Sequence, residues 1–304
     1  MRSSPTPVEI NSLFDNQDPD VAWEKAVDIV RRINPSYDFA LVRSVYEDVL
    51  RLFRGEHQDY ARIQTLYHDL SHTLSAFLSG VRLMHGVHIS GDRLDDSELT
   101  MIMVAILMHD VGYAQRRGEE AGTGAQYTQT HVQRGIAFMR QYFSERKIPL
   151  DMDAMAVMIL GTEHPRPFAE IEFHSERTRL LASIVATADI TGQMADRIYL
   201  EKLLFLYLEF REARFGNYRD MYDMLRQTDR FYQTTRDKLD GPLGGVYRKF
   251  AFHFGETMGI SRNFYLEAID KNIAYLERII ALGETACFGE LKRKGIVEKA
   301  RSLA

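Results

Sequence analysis

Apolar side chains recur at three- and four-residue intervals along most of the chain, the period of a helix that buries one face. The clearest case is 97–110, where Leu99, Ile102, Met103, Ile106 and Leu107 mark a nearly continuous apolar helix that belongs in a core. Comparable patterns predict helices over 20–33, 38–54, 67–85, 130–143, 153–160, 177–196, 200–215, 217–239 and 262–282. No segment alternates for the length of a strand, and there is neither a fixed-period repeat nor a low-complexity tract. The fold class read from this pattern is all-α, a single helical bundle over 21–282. A flexible N-terminal segment, 1–20, and a C-terminal tail or helix, 283–304, flank it. Two glycine-bearing loops, 116–126 and 240–245, interrupt the helices, each readable as an ordinary connection or as a mobile lid.

Composition narrows the class of partner. The 304 residues are 45% hydrophobic, ample for one large core. Lys and Arg total 38 against 43 Asp and Glu, a net charge of -5 that gives no electrostatic footprint for nucleic acid or an anionic membrane. No run approaches the roughly 20 apolar residues of a membrane span, and Met1 to Pro7 lack a secretory start, so a cytoplasmic location is expected. Cys287 is the only cysteine, which leaves imidazole and carboxylate as metal ligands. The tail, with Lys292, Arg293, Lys294 and Lys299, reads as a solvated helix or a homodimer contact.

Candidate chemistry lies in three places. In Tyr67-His68-Asp69-Leu70-Ser71-His72 the two histidines are four apart, a spacing that sets them on one face of a helix. His109-Asp110 ends the apolar helix, and Asp189 ends the apolar run Ile184-Val185-Ala186-Thr187-Ala188. A carboxylate delivered into a core needs a compensating cation or donors. Taken singly, each histidine reads as an ordinary hydrogen-bonded side chain, and Asp189 as the partner of an arginine such as Arg134. Taken together, in the order His, His-Asp, Asp, they read as a metal site.

That ordered set resembles the HD superfamily of metal-dependent phosphohydrolases, and 67–72 resembles the signature of class I cyclic-nucleotide phosphodiesterases, with Asp69 in place of the usual asparagine. The resemblance covers roughly 66–197 and implies an all-helical HD/phosphodiesterase-like bundle. It implies His72, His109, Asp110 and Asp189 as metal ligands, Asp110 as a bridge between two ions, and His68 as the acid that protonates the leaving oxygen. His131 and His164 fall where six-ligand HD variants, including di-iron oxygenases, carry further ligands; the alternative for each is a histidine lining the cleft. The HD-GYP motif is absent, since Ala114 follows Gly112-Tyr113.

The implied cofactor is one or two divalent ions among manganese, iron, zinc, nickel and magnesium, which imidazole and carboxylate suit. The implied activity is hydrolysis of a small phosphorylated metabolite or nucleotide, a phosphodiester above all, by metal-activated hydroxide with His68 as general acid. Gln193 and Asp196 follow Asp189 by four and seven residues and are candidates to meet the substrate. Arg134 and Arg166 are candidates for its phosphate, against a reading as surface arginines. The aromatic stripes Phe205, Tyr207, Phe210, Phe215 and Tyr218, Tyr222, Phe231, Tyr232 read first as core and second as cleft wall. Two competing functions stay open: a mixed-valent di-iron oxygenase on the same six ligands, and a non-catalytic helical sensor or scaffold that keeps the metal for stability.

Overall fold

Helix boundaries fall where capping chemistry sets them. Asp18 accepts from the amides of Asp20 and Val21 and opens a helix at Pro19; Asp95 and Glu98 form a reciprocal capping box that opens another at Asp96. The computed structural model describes residues 13–14, 17–118, 121–164 and 166–304, so the expected flexible segment 1–20 lies largely outside the described residues. Those described form α-helices joined by short 3₁₀ turns, and among them the only β-type pairing is an isolated bridge between Tyr60 and Arg116. In chain order the helices are α1 Pro19–Ile33, α2 Ala40–Arg54, α3 Leu70–Ile89, α4 Asp96–Met108, α5 His131–Arg146, α6 Met152–Leu160 and α7 Glu176–Met194. They continue as α8 Tyr199–Glu212, α9 Met221–Asp240, α10 Phe250–Met258, α11 Phe264–Ile280, α12 Glu284–Glu290 and α13 Ile296–Leu303. No helix among the described residues is long and apolar enough to cross a membrane.

The core is organised around α3 and α7, which share the most extensive contact of any two helices. From His72 to His88 every residue of α3 is buried, so its polar groups find partners inside: Arg82 donates to the Tyr265 hydroxyl and the Leu13 carbonyl. Gly192 makes the close approach possible. A Cβ there would lie 2.7 Å from the Ala76 Cα, inside any allowed contact. One turn either side of that crossing stand His72 on α3 and Asp189 on α7, so backbone contact at Gly192 sets the spacing of two side chains that carry chemistry. Helix α4, apolar from Met101 to Met108, packs on α2, α3, α6 and α7 and ends at the same place.

Three expectations need correction. His68 does not share a helical face with His72, because α3 begins at Leu70: Asp69 turns its carboxylate onto the His72 amide as N-cap, leaving His68 in the preceding turn. The segment Phe250–Met258 is helical although no helix was expected there; it is short, aromatic and bounded by Gly259. The tail is solvated on one face only, the face that carries Lys292, Arg293, Lys294 and Lys299. Cys287, Phe288, Leu291, Ile296, Val297 and Ala300 are buried, and Arg211 of α8 donates to the carbonyls of Leu303 and Ala304. In the loop 116–126, of which 119–120 lie outside the described residues, Glu212 accepts from the Thr123 amide and hydroxyl, and in 240–245 the Gly245 amide returns to the Leu239 carbonyl.

Candidate metal centre and its cavity

His72 enters from the first turn of α3, His109 closes α4, Asp110 follows it, and Asp189 comes from α7. Their donor atoms converge. His72 Nε2 lies 3.2 Å from His109 Nε2, from Asp110 Oδ2 and from Asp189 Oδ1, and His109 Nε2 lies 3.1 Å from Asp110 Oδ2. His109 Nδ1 faces the Ile106 carbonyl at 2.7 Å, an acceptor, so that nitrogen carries the proton and Nε2 presents a lone pair. Asp110 Oδ2 is buried and accepts no hydrogen bond. A lone pair facing a carboxylate oxygen is repulsive unless a proton or a metal ion stands between them, and two imidazoles converging with two carboxylates are a donor set that fits a metal ion.

The electrostatics agree. Burial opposes charge on His72, yet the carboxylates of Asp110 and Asp189 outweigh it and lift the imidazole to about 10. His109 is raised in the same way, burial again being overcome by Asp110 and Asp189. Burial would raise both aspartates, but the imidazoles hold Asp189 below the usual carboxylate range and Asp110 well below it. The cluster draws positive charge to itself, which is what a divalent cation supplies.

His131 begins α5 on the other side of Asp110. Its Nδ1 faces the Thr128 carbonyl at 2.8 Å, and its Nε2 lies 3.6 Å from Asp110 Oδ1. Asp110 thus turns one oxygen to His72 and His109 and the other to His131. The position is set by backbone contact, because Gly112, in the turn after Asp110, lies so close to the His131 carbonyl that no Cβ fits. Tyr113 fills the gap, stacked on His131 at 4.5 Å and on His68 at 4.8 Å between ring centroids. His164 lines the same cavity but packs edge-on against Phe231, outside the ion-pair cluster.

Beside the cluster, His68 Nδ1 meets Glu209 Oε2 at 2.6 Å, and the other oxygen of Glu209 accepts from the amides of Tyr67 and His68. Glu209 is buried on α8 and was not anticipated: a glutamate among helix-forming residues reads as a solvated position. Lys202, also on α8 and also missed, donates to Asp69 Oδ1 at 2.9 Å and to Ser71. This ammonium gives the carboxylate at 69 a charged partner.

A cavity of about 180 Å³ opens from the cluster, lined by His68, His72, His109, Asp110, His131, His164 and Asp189 at one end. Gln193 lines it too, but its amide reaches Asp189 Oδ1 at 3.3 Å and its carbonyl oxygen accepts from Tyr67. Arg134, a candidate for phosphate, is absent from the lining: it donates to the carbonyls of Gly112 and Ala114 and lies over the Tyr127 ring, so it braces the turn behind Asp110. Arg166 pairs with Glu163, and Asp196 lies past the end of α7, capping the Ile198 amide. The aromatic stripes divide. Phe205 and Tyr232 are core, whereas Phe210, Phe215, Tyr218 and Phe231 wall the cavity, with Lys238 facing in from α9.

No curated protein matches the chain. A family model described as Npun_R2479-like does match, over residues 28–119 and 116–238. The matched span holds the whole constellation, from His68 through the ligand cluster and Glu209 to Lys238, and takes in well over half of the sequence. On that match the chain belongs to the Npun_R2479-like family.

Proposed function

We propose that the protein is a metal-dependent phosphoric ester hydrolase acting on a small phosphodiester, a cyclic nucleotide being one candidate, with His68 as general acid. The observation that carries the reading is the arrangement around Asp110. Its two oxygens face histidines on opposite sides, and the Nε2 atoms of His109 and His131 are left as lone pairs by carbonyls behind them. His72, His109, Asp110 and Asp189 would hold one ion, and Asp110 with His131 a second. Ions bound there supply a water acidified toward neutrality and positive charge for the phosphoryl oxygens. The remaining work falls to the chain. Glu209 holds His68 by Nδ1, which leaves Nε2 to donate its proton to a departing alkoxide, a factor of about 10² to 10⁴ in rate.

The test is metal content by plasma mass spectrometry on protein purified without chelator, beside hydrolysis of bis(p-nitrophenyl) phosphate with manganese, nickel or magnesium. One or two equivalents of metal and turnover abolished by Asp110→Ala are expected. A second reading, a di-iron oxygenase, draws on His131 and His164 at the same cavity; two irons and oxygen consumption without hydrolysis would favour it. Tight metal binding with no turnover on any phosphoester would leave the sensor or scaffold.

A further inference from the structure

Lys238 projects from α9 into the cavity, half-buried, and among the described residues its only hydrogen bond is a long one, 3.4 Å, to the Gly161 carbonyl. No carboxylate of the described residues lies within the 4.0 Å of an ion pair; Asp189 attracts it only from a distance. An ammonium withdrawn from water without a counter-ion is costly, and an anionic ligand removes the cost.

The rest of the wall has the opposite character. Leu206, Phe210, Phe215, Tyr218, Met224 and Phe231 turn apolar surface to the cavity, and Phe231 is 40% exposed at its edge. Most of the threonine and glutamine donors among them are already engaged, which leaves the Gln227 carbonyl oxygen and the Tyr218 hydroxyl as the polar atoms of this wall. Thr162, Thr228 and Thr235 donate to helix carbonyls one turn back, and Gln227 donates to Asp223. Gln193 is held between Tyr67 and Asp189. A nucleobase placed here would bury donors and acceptors with few partners to meet them, whereas an alkyl or aryl group loses nothing on entering.

We infer that the cavity selects phosphoesters whose organic group is apolar, with Lys238 holding the anionic phosphoryl group beside the histidine–aspartate cluster. This rests on the phosphohydrolase reading and narrows its substrate class away from nucleotides.

Binding of non-hydrolysable probes by titration calorimetry tests it on the full chain: methyl-, butyl-, octyl- and phenylphosphonate, and as the nucleotide the 5′-methylenephosphonate analogue of adenosine 5′-monophosphate. Affinity is expected to rise about fourfold for each methylene buried until the wall is covered. Phenylphosphonate should bind more tightly than both methylphosphonate and the nucleotide. Lys238→Met should weaken every phosphonate by about tenfold or more while keeping the chain-length slope, and Phe231→Ala, at a partly exposed position, should flatten the slope.

A flat series, or a nucleotide that binds more tightly than phenylphosphonate, overturns the specificity. Unchanged affinity in Lys238→Met overturns the anion assignment, and if that variant does not fold, the parent series and the Phe231 variant still decide the apolar wall. Turnover of bis(p-nitrophenyl) phosphate alongside a flat series would sink this inference and spare the hydrolase reading. A steep series with no ester turned over would do the reverse.

Discussion

The Glu209 carboxylate meets Nδ1 of His68 at 2.6 Å, joining α8 to the turn before α3 across 141 residues of sequence. A buried carboxylate on one imidazole nitrogen orients the ring, so Glu209 is a positioning residue for the other nitrogen. Glu209→Gln should leave metal content unchanged and lower kcat by about 10-fold to 10²-fold on an ester with a poor alkoxide leaving group. On p-nitrophenyl esters, whose leaving group needs little protonation, the loss should be much smaller. An equal loss on both would mean that Glu209 supports only the fold.

Asp69 and Lys202 form the second long-range pair at the entrance to α3. Asp69→Asn keeps the helix cap but leaves the buried Lys202 ammonium without its charged partner, a loss of about 1 to 3 kcal/mol. The double variant Asp69→Asn, Lys202→Met should regain much of it, since neither charge is then buried. Denaturant midpoints of the four proteins give the coupling; additive losses would show that the pair contributes nothing as a pair.

These two pairs mark where the sequence stops being readable. His109, Asp110 and Asp189 were legible because each puts a polar group at the end of an apolar run, which a core does not tolerate without compensation, and His72 by its four-residue spacing from His68. Helix positions were legible from period, with ends moved by caps such as Asp69. Glu209, Lys202 and Lys238 were not legible: each is a good helix former in a mixed helix, where a charged side chain is normally solvated. Their burial comes from how α8 and α9 cross the bundle, a tertiary fact with no local signal. The same crossing turned Phe210, Phe215, Tyr218 and Phe231 from expected core into cavity wall. Arg134 failed the other way, an apparently free arginine taken up by two backbone carbonyls.

Metal binding should be measurable as stability. An ion bound by the folded state alone, at 100 times its dissociation constant, adds about 2.7 kcal/mol. Chelation of the purified protein should therefore lower the melting temperature, and re-addition of manganese or nickel restore it. Asp110→Ala should lose the metal-dependent gain altogether. His131→Ala should reduce two bound ions to one and keep part of the gain, because His131 faces only the Asp110 oxygen turned away from His72 and His109. Retention of full stoichiometry in His131→Ala would remove it from the ligand set.

Far from the cluster, His85 of α3 and His253 of α10 meet with their Nδ1 atoms 3.1 Å apart, both buried. Burial, then Arg82, His85 and Arg32, hold His253 well below the ordinary imidazole value of about 6.5; burial lowers His85 too, only partly offset by Glu256. Unfolded, both would titrate near that ordinary value, so below it the unfolded chain binds protons that the folded chain does not. Stability must then fall as pH drops through about 6.5, by up to about 1.4 kcal/mol per pH unit for each histidine, until the folded values are reached. In metal-free protein His72 acts in the opposite sense. Its folded value of about 10 contributes stability present below 6.5 and lost as pH rises through 10. The difference between parent and His253→Asn isolates the pair: denaturant midpoints from pH 7 to 5 should drop less steeply in the variant, and identical slopes would place the acid sensitivity elsewhere.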